Sequence, residues 1–259
     1  MKKLALLFIN IIFISLILTN VSYAKIDVED IIGMWLFDEG KGDVAQDTSG
    51  NDYNGELINE PEWVEGNFGQ ALKYDGSNSY VNAGTVPLSS NSVTVSAWLY
   101  TDTPSPGWTH VVENGVIENV WNGAYRLEFG PEEGQFYIAI GDGAAYKDND
   151  PNGVNIGWKY EEWFHVVFTY DGSQGTTYLN GTEVDSFESN LDISSGTGTL
   201  IFGSMQGADR FYNGILDEVV IFDVSLTEDN IESLNKGMSS VLAVSPSDKL
   251  ATTWSSIKK

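Results

Sequence analysis

One polar loop of the chain carries oxygen-bearing side chains at the spacing of a calcium ligand set. Residues 148–153 read DNDPNG, so Asp148, Asp150 and Asn152 alternate ahead of a glycine. The twelve-residue calcium loop of EF-hands begins in this way, but its last position needs a bidentate glutamate. Lys159 occupies that position here, which excludes an EF-hand. The loop is therefore either a calcium site of lower affinity at these three residues or a solvated polar turn, and the missing ligand favours the turn.

Aromatic side chains gather in the middle of the chain and offer a second kind of chemistry. Binding sites combine aromatic and apolar walls with a few polar groups that fix the orientation of the ligand, and sugars fit such a surface. The candidate contact residues lie in or beside predicted loops: Trp108, Trp121, Tyr125, Tyr146 and Trp158. We expect Trp121 and Tyr125 to form the centre of the surface. The alternative is that these rings cover an edge of the fold, since scattered exposed aromatics are ordinary.

Catalytic patterns are harder to find. Asp217 and Glu218 are the closest acidic pair on a predicted strand, but neighbours on a strand point to opposite faces and cannot flank one glycosidic bond. Of the two histidines, His165 is expected to be a structural hydrogen-bonding residue, and His110 lies in another strand. The sequence contains no cysteine nucleophile, serine elbow or phosphate loop. We therefore expect a protein that is not an enzyme, although any two of the 37 acidic residues could meet in space.

Short strands must position these residues. Turn signals recur roughly every 8–12 residues, and long helical patterns are absent from the sequence, which favours an all-β sandwich or barrel. Residues 92–100 alternate apolar and polar side chains, and residues 163–181 read as a hairpin with turns at Asp171-Gly172 and Asn180-Gly181. One short helix should follow the N-cap Thr227. The other predicted strands are 34–37, 71–74, 80–82, 110–113, 125–129, 136–140, 199–202 and 214–222.

The first 24 residues have the composition of a secretory signal peptide. Lys2 and Lys3 precede an apolar run at 4–18, and Ser22 and Ala24 place small side chains where a signal peptidase cleaves. A membrane anchor is the alternative, but the run is short for a span. We expect cleavage before Lys25, which removes 24 of 259 residues and leaves 235 in a secreted, extracellular or periplasmic protein.

The chain is strongly acidic. The leader holds two of the 13 basic residues and no acidic one, so the mature chain has 11 basic against 37 acidic residues and a formal charge of −26. This balance argues against nucleic acid and anionic membranes as partners, because both attract basic patches. The acidic balance favours divalent cations as binding partners. Because the sequence has no cysteine, no disulfide can form, and the apolar core must supply the stability.

Four segments, in order along the chain, resemble one family of β-sandwiches. They are residues 33–55 (GMWLFDEGKGDVAQDTSGNDYNG), 68–81 (FGQALKYDGSNSYV), 163–181 (WFHVVFTYDGSQGTTYLNG) and 212–231 (YNGILDEVVIFDVSLTEDNI). They are similar to the laminin-G-like jelly rolls of the concanavalin A-like lectin/glucanase superfamily. The resemblance implies an all-β jelly-roll sandwich of two antiparallel sheets, with one short helix near the C-terminus.

The leader and this resemblance together divide the chain into three parts. They are a signal peptide at 1–24, a jelly-roll domain at 25–237 and a C-terminal tail at 238–259. In the tail, Leu250, Trp254 and Ile257 share one face of a predicted short helix. We expect the tail to pack on the sandwich or on a partner.

The resemblance also implies a structural calcium ion. In many related jelly rolls a calcium ion joins the loop after the first strand to the last strand. The matching positions here are Asp47, Ser49, Asn51 and Asp217. Carboxylate, amide, hydroxyl and carbonyl oxygens are the ligands that calcium prefers. The alternative is a hydrogen-bonded turn at Asp47 and a solvent-exposed carboxylate at Asp217.

The function that the resemblance implies is binding. We expect a secreted, non-catalytic, calcium-stabilised module whose partner is an extracellular glycan or surface glycoprotein. Retaining glucanases of the superfamily carry two carboxylates on one strand, spaced as Glu-x-Asp-x-x-Glu or one residue shorter, and this sequence lacks that run. A glycoside hydrolase or lyase is one alternative, and a structural or protein-interaction module is another.

Overall fold

The fold consists of two antiparallel sheets and a pair of short helices. The computed structural model describes residues 26–115, 123–196 and 198–244. Three predicted features lie outside the described residues: Trp121, the tail face formed by Leu250, Trp254 and Ile257, and the signal peptide. None of the described helices has the length and apolar character that a membrane span requires.

Seventeen strands and two α-helices make up the described residues. The strands are β1 (Ile31–Trp35), β2 (Val44–Ala45), β3 (Gly55–Ile58), β4 (Glu62–Glu65), β5 (Gln70–Asp75), β6 (Tyr80–Thr85), β7 (Val93–Tyr100), β8 (Thr109–Gly115), β9 (Tyr125–Phe129), β10 (Gln135–Gly141), β11 (Tyr146–Asp148), β12 (Val154–Asn155), β13 (Trp163–Tyr170), β14 (Gln174–Leu179), β15 (Thr182–Glu188), β16 (Thr199–Phe202) and β17 (Asn213–Phe222). The helices are α1 (Glu228–Leu234) and α2 (Met238–Val244). Two single 3-10 turns, Val28–Asp30 and Ile193–Ser195, complete the list.

The strand order is that of a jelly-roll sandwich. One sheet runs β15-β14-β13-β7-β17-β5-β4, with β1 beside β17 as its eighth strand. The other runs β11-β10-β9-β8-β16-β6-β3-β2, with β12 beside β10 as its ninth. The long β17 pairs with β7 on one side and with β5 and then β1 on the other. The predicted all-β sandwich is confirmed, the predicted strands 125–129 and 199–202 have the observed bounds, and β13 and β14 form the hairpin predicted at 163–181.

The main core lies between the two sheets. On β7 the residues Val93, Val95, Ala97 and Leu99 face this core, as their alternation predicts. Aromatic rings fill much of the space, and Trp35 meets Phe202 edge-on with ring centroids 4.9 Å apart. Such pairs are favourable beyond their buried area.

A second apolar layer covers the outside of the eight-stranded sheet. Val167, Val220 and Phe222 point outward there and pack under the helices α1 and α2. Met238, the first residue of the predicted tail, is 1% exposed in this layer. The start of the tail therefore packs on the sandwich. This second layer explains why the polar face of β7, including Thr94 and Ser96, is also buried.

The hairpin at 163–181 forms as its turn residues predict. Asn180 and Gly181 have φ of +50° and +81°, the left-handed pair that a tight hairpin turn requires. The carboxylate of Asp171 accepts hydrogen bonds from the N–H groups of Ser173 and Gln174, which closes the preceding turn. The polar stretch at 144–159 is more ordered than its composition suggests, since it contributes β11 and β12 to the edge of the second sheet.

The outer apolar layer should contribute measurably to stability. Leu234 on α1 is 1% exposed, whereas the side chain of Glu232 on the same helix is 67% exposed. Leu234→Ala should lower the free energy of unfolding by about 2–5 kcal/mol, because it leaves a cavity in that layer. Glu232→Ala is the matched control and should change it by about 0.5 kcal/mol or less. Urea unfolding of both variants measures the difference, and equal effects would show that α1 is not firmly docked.

Candidate functional site

A groove on the outside of the nine-stranded sheet combines aromatic and charged side chains. It has a volume of about 220 Å³. We call it the Trp108 groove, and its lining residues are Trp108, Glu128, Tyr137, Tyr146, Asp148, Pro151 and Arg210. On β9, Leu127 and Phe129 enter the core between the sheets, so Glu128 lies on the opposite, outer face. Tyr137 on β10 is its direct cross-strand partner, which brings the two side chains together.

A β-bulge places two further charged residues beneath the groove. The pairing of β8 with β9 shifts register between His110 and Val112, so Val111 and Val112 both enter the core. His110 and Glu113 then lie on the same outer face, where regular alternation would separate them. His110 pairs in register with Glu128, and all three side chains are 2% exposed or less.

These side chains form one buried ionic network. The imidazole of His110 contacts Glu113 Oε2 through Nδ1 at 3.1 Å and Glu128 Oε1 through Nε2 at 3.2 Å. Two arginines reach the same glutamate: Arg126 Nε lies 2.8 Å from Glu128 Oε1, and Arg210 Nη1 lies 2.8 Å from Glu128 Oε2. Glu128 is therefore held by three cationic groups, and removal of any one would leave a buried charge with fewer partners.

The network changes the pKa values of His110 and Glu128. Burial lowers the pKa of His110, but hydrogen bonds to Glu113 and Glu128 raise it more, so its pKa lies above the usual value. Burial raises the pKa of Glu128, but His110 and the two arginines lower it more, so its pKa lies below the usual value. The two carboxylates thus favour the charged form of the His110 ring.

The wall of the groove is aromatic at one end and acidic at the other. The rings of Trp108 and Tyr137 meet edge-on with centroids 5.7 Å apart, and Tyr146 is 48% exposed. The hydroxyl of Tyr137 donates to Asp148 Oδ2 at 3.1 Å. Arg126 Nη2 donates to that same hydroxyl at 3.1 Å and so links the wall to the ionic network below. The groove therefore offers a ring surface together with fixed donors and acceptors.

Two of the predicted contact aromatics are not at the surface. Tyr125 is 1% exposed and Trp158 is 2% exposed, and both belong to the core between the sheets. Trp158 stacks on Phe164 at 5.5 Å. The predictions for these two residues are wrong: strand alternation turns Tyr125 inward, and Trp158 packs on core rings while its indole N–H donates to the carbonyl of Gln135. Trp108 and Tyr146 do line the groove, while Trp121 lies outside the described residues.

The predicted calcium residues near the first strand have other partners. The carboxylate of Asp47 accepts hydrogen bonds from the N–H groups of Met34, Ser49 and Tyr53. The amide of Asn51 donates to the carbonyls of Ile31 and Ile32. These contacts tie the loop after β1 to that strand. Among the described residues, no hydrogen bond joins Asp217 to Asp47, Ser49 or Asn51.

Asp217 lies in a separate acidic cluster. It is fully buried, its Oδ2 accepts the N–H of Phe68 at 2.8 Å, and its Oδ1 has no hydrogen-bond partner among the described residues. Burial, with the nearby charge of Asp38, raises its pKa to about 7. Asp38 itself accepts a hydrogen bond from the N–H of Gln70, two residues after Phe68. The sequence did not single out Asp38, although it directly follows the first predicted strand.

A β-bulge in β17 separates the two acidic neighbours. The register shifts between Asp217 and Val220, and Glu218 adopts φ +44°. Glu218 Oε2 accepts the N–H of Met238 at the start of α2, and burial raises its pKa to about 8. Asp217 and Glu218 thus bind different parts of the backbone, the turn at Phe68 and the start of α2.

The second predicted calcium loop forms a hydrogen-bonded turn. Asp150 Oδ1 accepts the N–H of Asn152, and the carbonyl of Asp150 accepts the N–H of Gly153. Asp148 instead lines the Trp108 groove and accepts a hydrogen bond from the hydroxyl of Tyr137. Within the described residues, no three histidine, aspartate or glutamate side chains are gathered closely enough to hold a metal by themselves. Any calcium ion would have to draw on carbonyl oxygens as well.

The sequence matches a laminin-G model of the concanavalin A-like lectin/glucanases superfamily over residues 75–232. The chain belongs to this superfamily. The match covers more than half of the sequence, contains the motifs at 163–181 and 212–231, and confirms the resemblance to the family. No curated protein matches the chain in sequence.

Solved structures of the same fold include carbohydrate-related domains. Domain 4 of AbnA, a GH43 extracellular arabinanase from Geobacillus stearothermophilus, solved with arabinotriose, has a TM-score of 0.63 and 19% identity over 80% of this chain and 98% of its own. The binding domain of botulinum neurotoxin DC with SialylT has a TM-score of 0.59 and 18% identity, covering 82% and 52%. The sialidase of Trypanosoma rangeli has a TM-score of 0.56 and 16% identity, covering 81% and 33%.

The likeness to these proteins is a likeness of fold. The described sandwich spans nearly all of the arabinanase domain, about half of the neurotoxin binding domain and a third of the sialidase. The same architecture therefore occurs in proteins described as binding domains and within a longer protein described as a sialidase. The function of this protein must therefore be argued from its own side chains and not from its fold.

The ionic network should be visible in the titration of the histidines. Because the folded pKa of His110 lies above the unfolded value of about 6.5, its ion pairs stabilise the fold fully below about pH 6.5 and are lost as the pH rises through the folded pKa. His165 is buried beside Trp98 and Ser96, and burial lowers its pKa to about 3.

NMR titration of the two imidazoles measures both values, and His165→Gln assigns the signals. We expect one ring to remain charged above pH 6.5 and the other to remain neutral well below it. The free energy of unfolding should decrease above pH 6.5 in parallel with the His110 titration. A ring of His110 that loses its proton at or below pH 6.5 would contradict the charged arrangement.

Proposed function

We propose that the protein is a secreted, non-catalytic carbohydrate-binding module that uses the Trp108 groove. The observation that carries the proposal is the combination, in one concave site, of the half-buried ring of Trp108 and the exposed ring of Tyr146 with charged donors and acceptors that are fixed in place by a buried network. Sugars present an apolar ring face and a rim of hydroxyls, and such a site matches both. Membership of a superfamily that is named for lectins and glucanases agrees with it.

Preorganisation is the main physical argument for this assignment. Arg210 is 27% exposed at the groove, and its guanidinium is already held by Glu128. The backbone carbonyl of Arg210 accepts the N–H of His110, so its loop is fixed to β8 as well. A ligand hydroxyl would meet polar groups whose conformational entropy is already lost on folding, which favours binding.

The same geometry disfavours hydrolysis by the network carboxylates. In glycoside hydrolases a water molecule or the sugar itself occupies the space between two acidic groups. Here the ring of His110 fills the space between Glu113 and Glu128, and both glutamates are 2% exposed or less. Glu113 lies beneath the groove, and Glu128, which lines it, is already engaged by three cationic groups.

Calcium belongs to the proposal as a structural ion. The unpartnered buried oxygen of Asp217 and the neighbouring Asp38 suit a cation, and carbonyls of the turn at 66–69 would complete the coordination. A divalent ion there would remove the electrostatic cost of two close carboxylates. Asp47, Ser49 and Asn51 would then support the ion indirectly, by holding β1 and its following loop in place.

Removal of the aromatic wall should weaken glycan binding without unfolding the protein. Trp108→Ala is expected to weaken binding at least about tenfold, since stacked aromatic anchors commonly contribute 1–3 kcal/mol. Trp163→Ala, a partly exposed tryptophan on the other sheet, is the matched control. A glycan array followed by calorimetry on the best oligosaccharide measures the effect, and equal binding by wild type and Trp108→Ala would exclude the groove.

Calcium should raise the melting temperature of residues 25–259. At calcium concentrations 100 times Kd, the expected rise over chelator is about 5–10 °C for a domain of this size. Asp217→Asn should remove most of that rise, because it replaces the buried carboxylate. Asp229→Asn, an exposed acid on α1, is the control, and Asp47→Asn and Asp150→Asn compare the other predicted sites. Identical melting of wild type in calcium and in chelator would remove the ion from the proposal.

A further inference from the structure

We infer that the Trp108 groove selects an uncharged saccharide and rejects sugars that carry a carboxylate, such as uronic and sialic acids. This inference rests on the proposed function of the same groove. It concerns the charge of the ligand, which the aromatic wall alone does not determine. The pairing of each charged group at the groove determines which ligand charge the site accepts.

The cationic groups at the groove are already paired with carboxylates. Arg210 is bound to Glu128 Oε2 at 2.8 Å, and Arg126 is bound to Glu128 Oε1 at the same distance. Arg126 is also only 4% exposed and donates to the hydroxyl of Tyr137. An acidic sugar would have to compete with Glu128 for these guanidinium groups, and displacement of a buried carboxylate from its cations is costly.

The negative charge of Asp148 is not neutralised. Its Oδ2 accepts a hydrogen bond from Tyr137, and Asp148 forms no ion pair with any described residue. It is partly exposed and lines the groove. A carboxylate acceptor of this kind binds sugar hydroxyls well, because hydrogen bonds to charged groups are the stronger ones. It repels a ligand carboxylate for the same reason, and this repulsion supplies the specificity.

The size of the groove agrees with a single sugar residue as its main occupant. Its volume of about 220 Å³ lies below the range of roughly 300–1,000 Å³ that is typical of pockets for larger ligands. Trp108 and Tyr146 would contact the ring face, while Asp148 and Arg210 would contact the hydroxyl rim. The remainder of a glycan chain would extend over the open surface.

The test compares matched neutral and acidic sugars. Wild type, Asp148→Asn and Glu132→Gln are titrated by calorimetry with neutral oligosaccharides selected on an array and with the corresponding uronic-acid-ended and sialylated forms. Asp148→Asn keeps an oxygen that can accept from Tyr137 but removes the charge. Glu132→Gln removes one charge from an exposed residue after β9 that does not line the groove.

The expected result is that wild type prefers the neutral form at least about tenfold, a ratio set by charge repulsion at short range. Asp148→Asn should reduce this ratio several-fold, Glu132→Gln should leave it unchanged, and added salt should narrow it in wild type. Thermal melts confirm that all three proteins are folded.

Two results would overturn the inference while the proposed function stands: a preference of wild type for the acidic sugar, or a ratio that Asp148→Asn does not change. Absence of binding to neutral and acidic glycans alike, with wild type folded and calcium present, would overturn the proposed function itself. The two failures are therefore distinguishable in one set of titrations.

Discussion

The packing of two sheets across an aromatic core is the interaction on which the rest of the structure depends. A chain without cysteine has no covalent link to hold its strands, so burial of apolar side chains must offset the loss of chain entropy. The eight-stranded sheet is covered on both faces, by the core and by the layer under α1 and α2. This leaves the outer face of the nine-stranded sheet as the surface on which polar chemistry can be placed.

That outer face carries charges that a sandwich would normally keep in water. Burial of His110, Glu113 and Glu128 has a large desolvation cost, which the mutual ion pairs offset only if the geometry is kept. The rigid strands β8 and β9 keep that geometry, and the loop that carries Arg210 closes over it. The network in turn fixes the side chains at the groove. Stability and a preorganised binding surface therefore have a common origin in the register of two strands.

The sequence predicted the fold better than the site, for a definite physical reason. Alternation at 163–170 and the turn at Asn180-Gly181 are local signals, and local signals specify strands and hairpins directly. The groove depends instead on the bulge at His110, which has no such signal: strict alternation would place His110 and Glu113 on opposite faces. Arg210 comes from a loop about 80 residues after Glu128, a contact that only the complete topology creates.

The wrong prediction at Tyr125 has the same cause. Composition shows that a ring lies near a loop, but the face of the strand decides whether the ring enters the core or the solvent. Tyr125 follows the parity of Leu127 and therefore points inward. Trp108 precedes the bulge and lies over Tyr137 on the outer side. In this fold a single extra residue in β8 decides which charged side chains can share a face, and so which surface of the sandwich can bind a ligand.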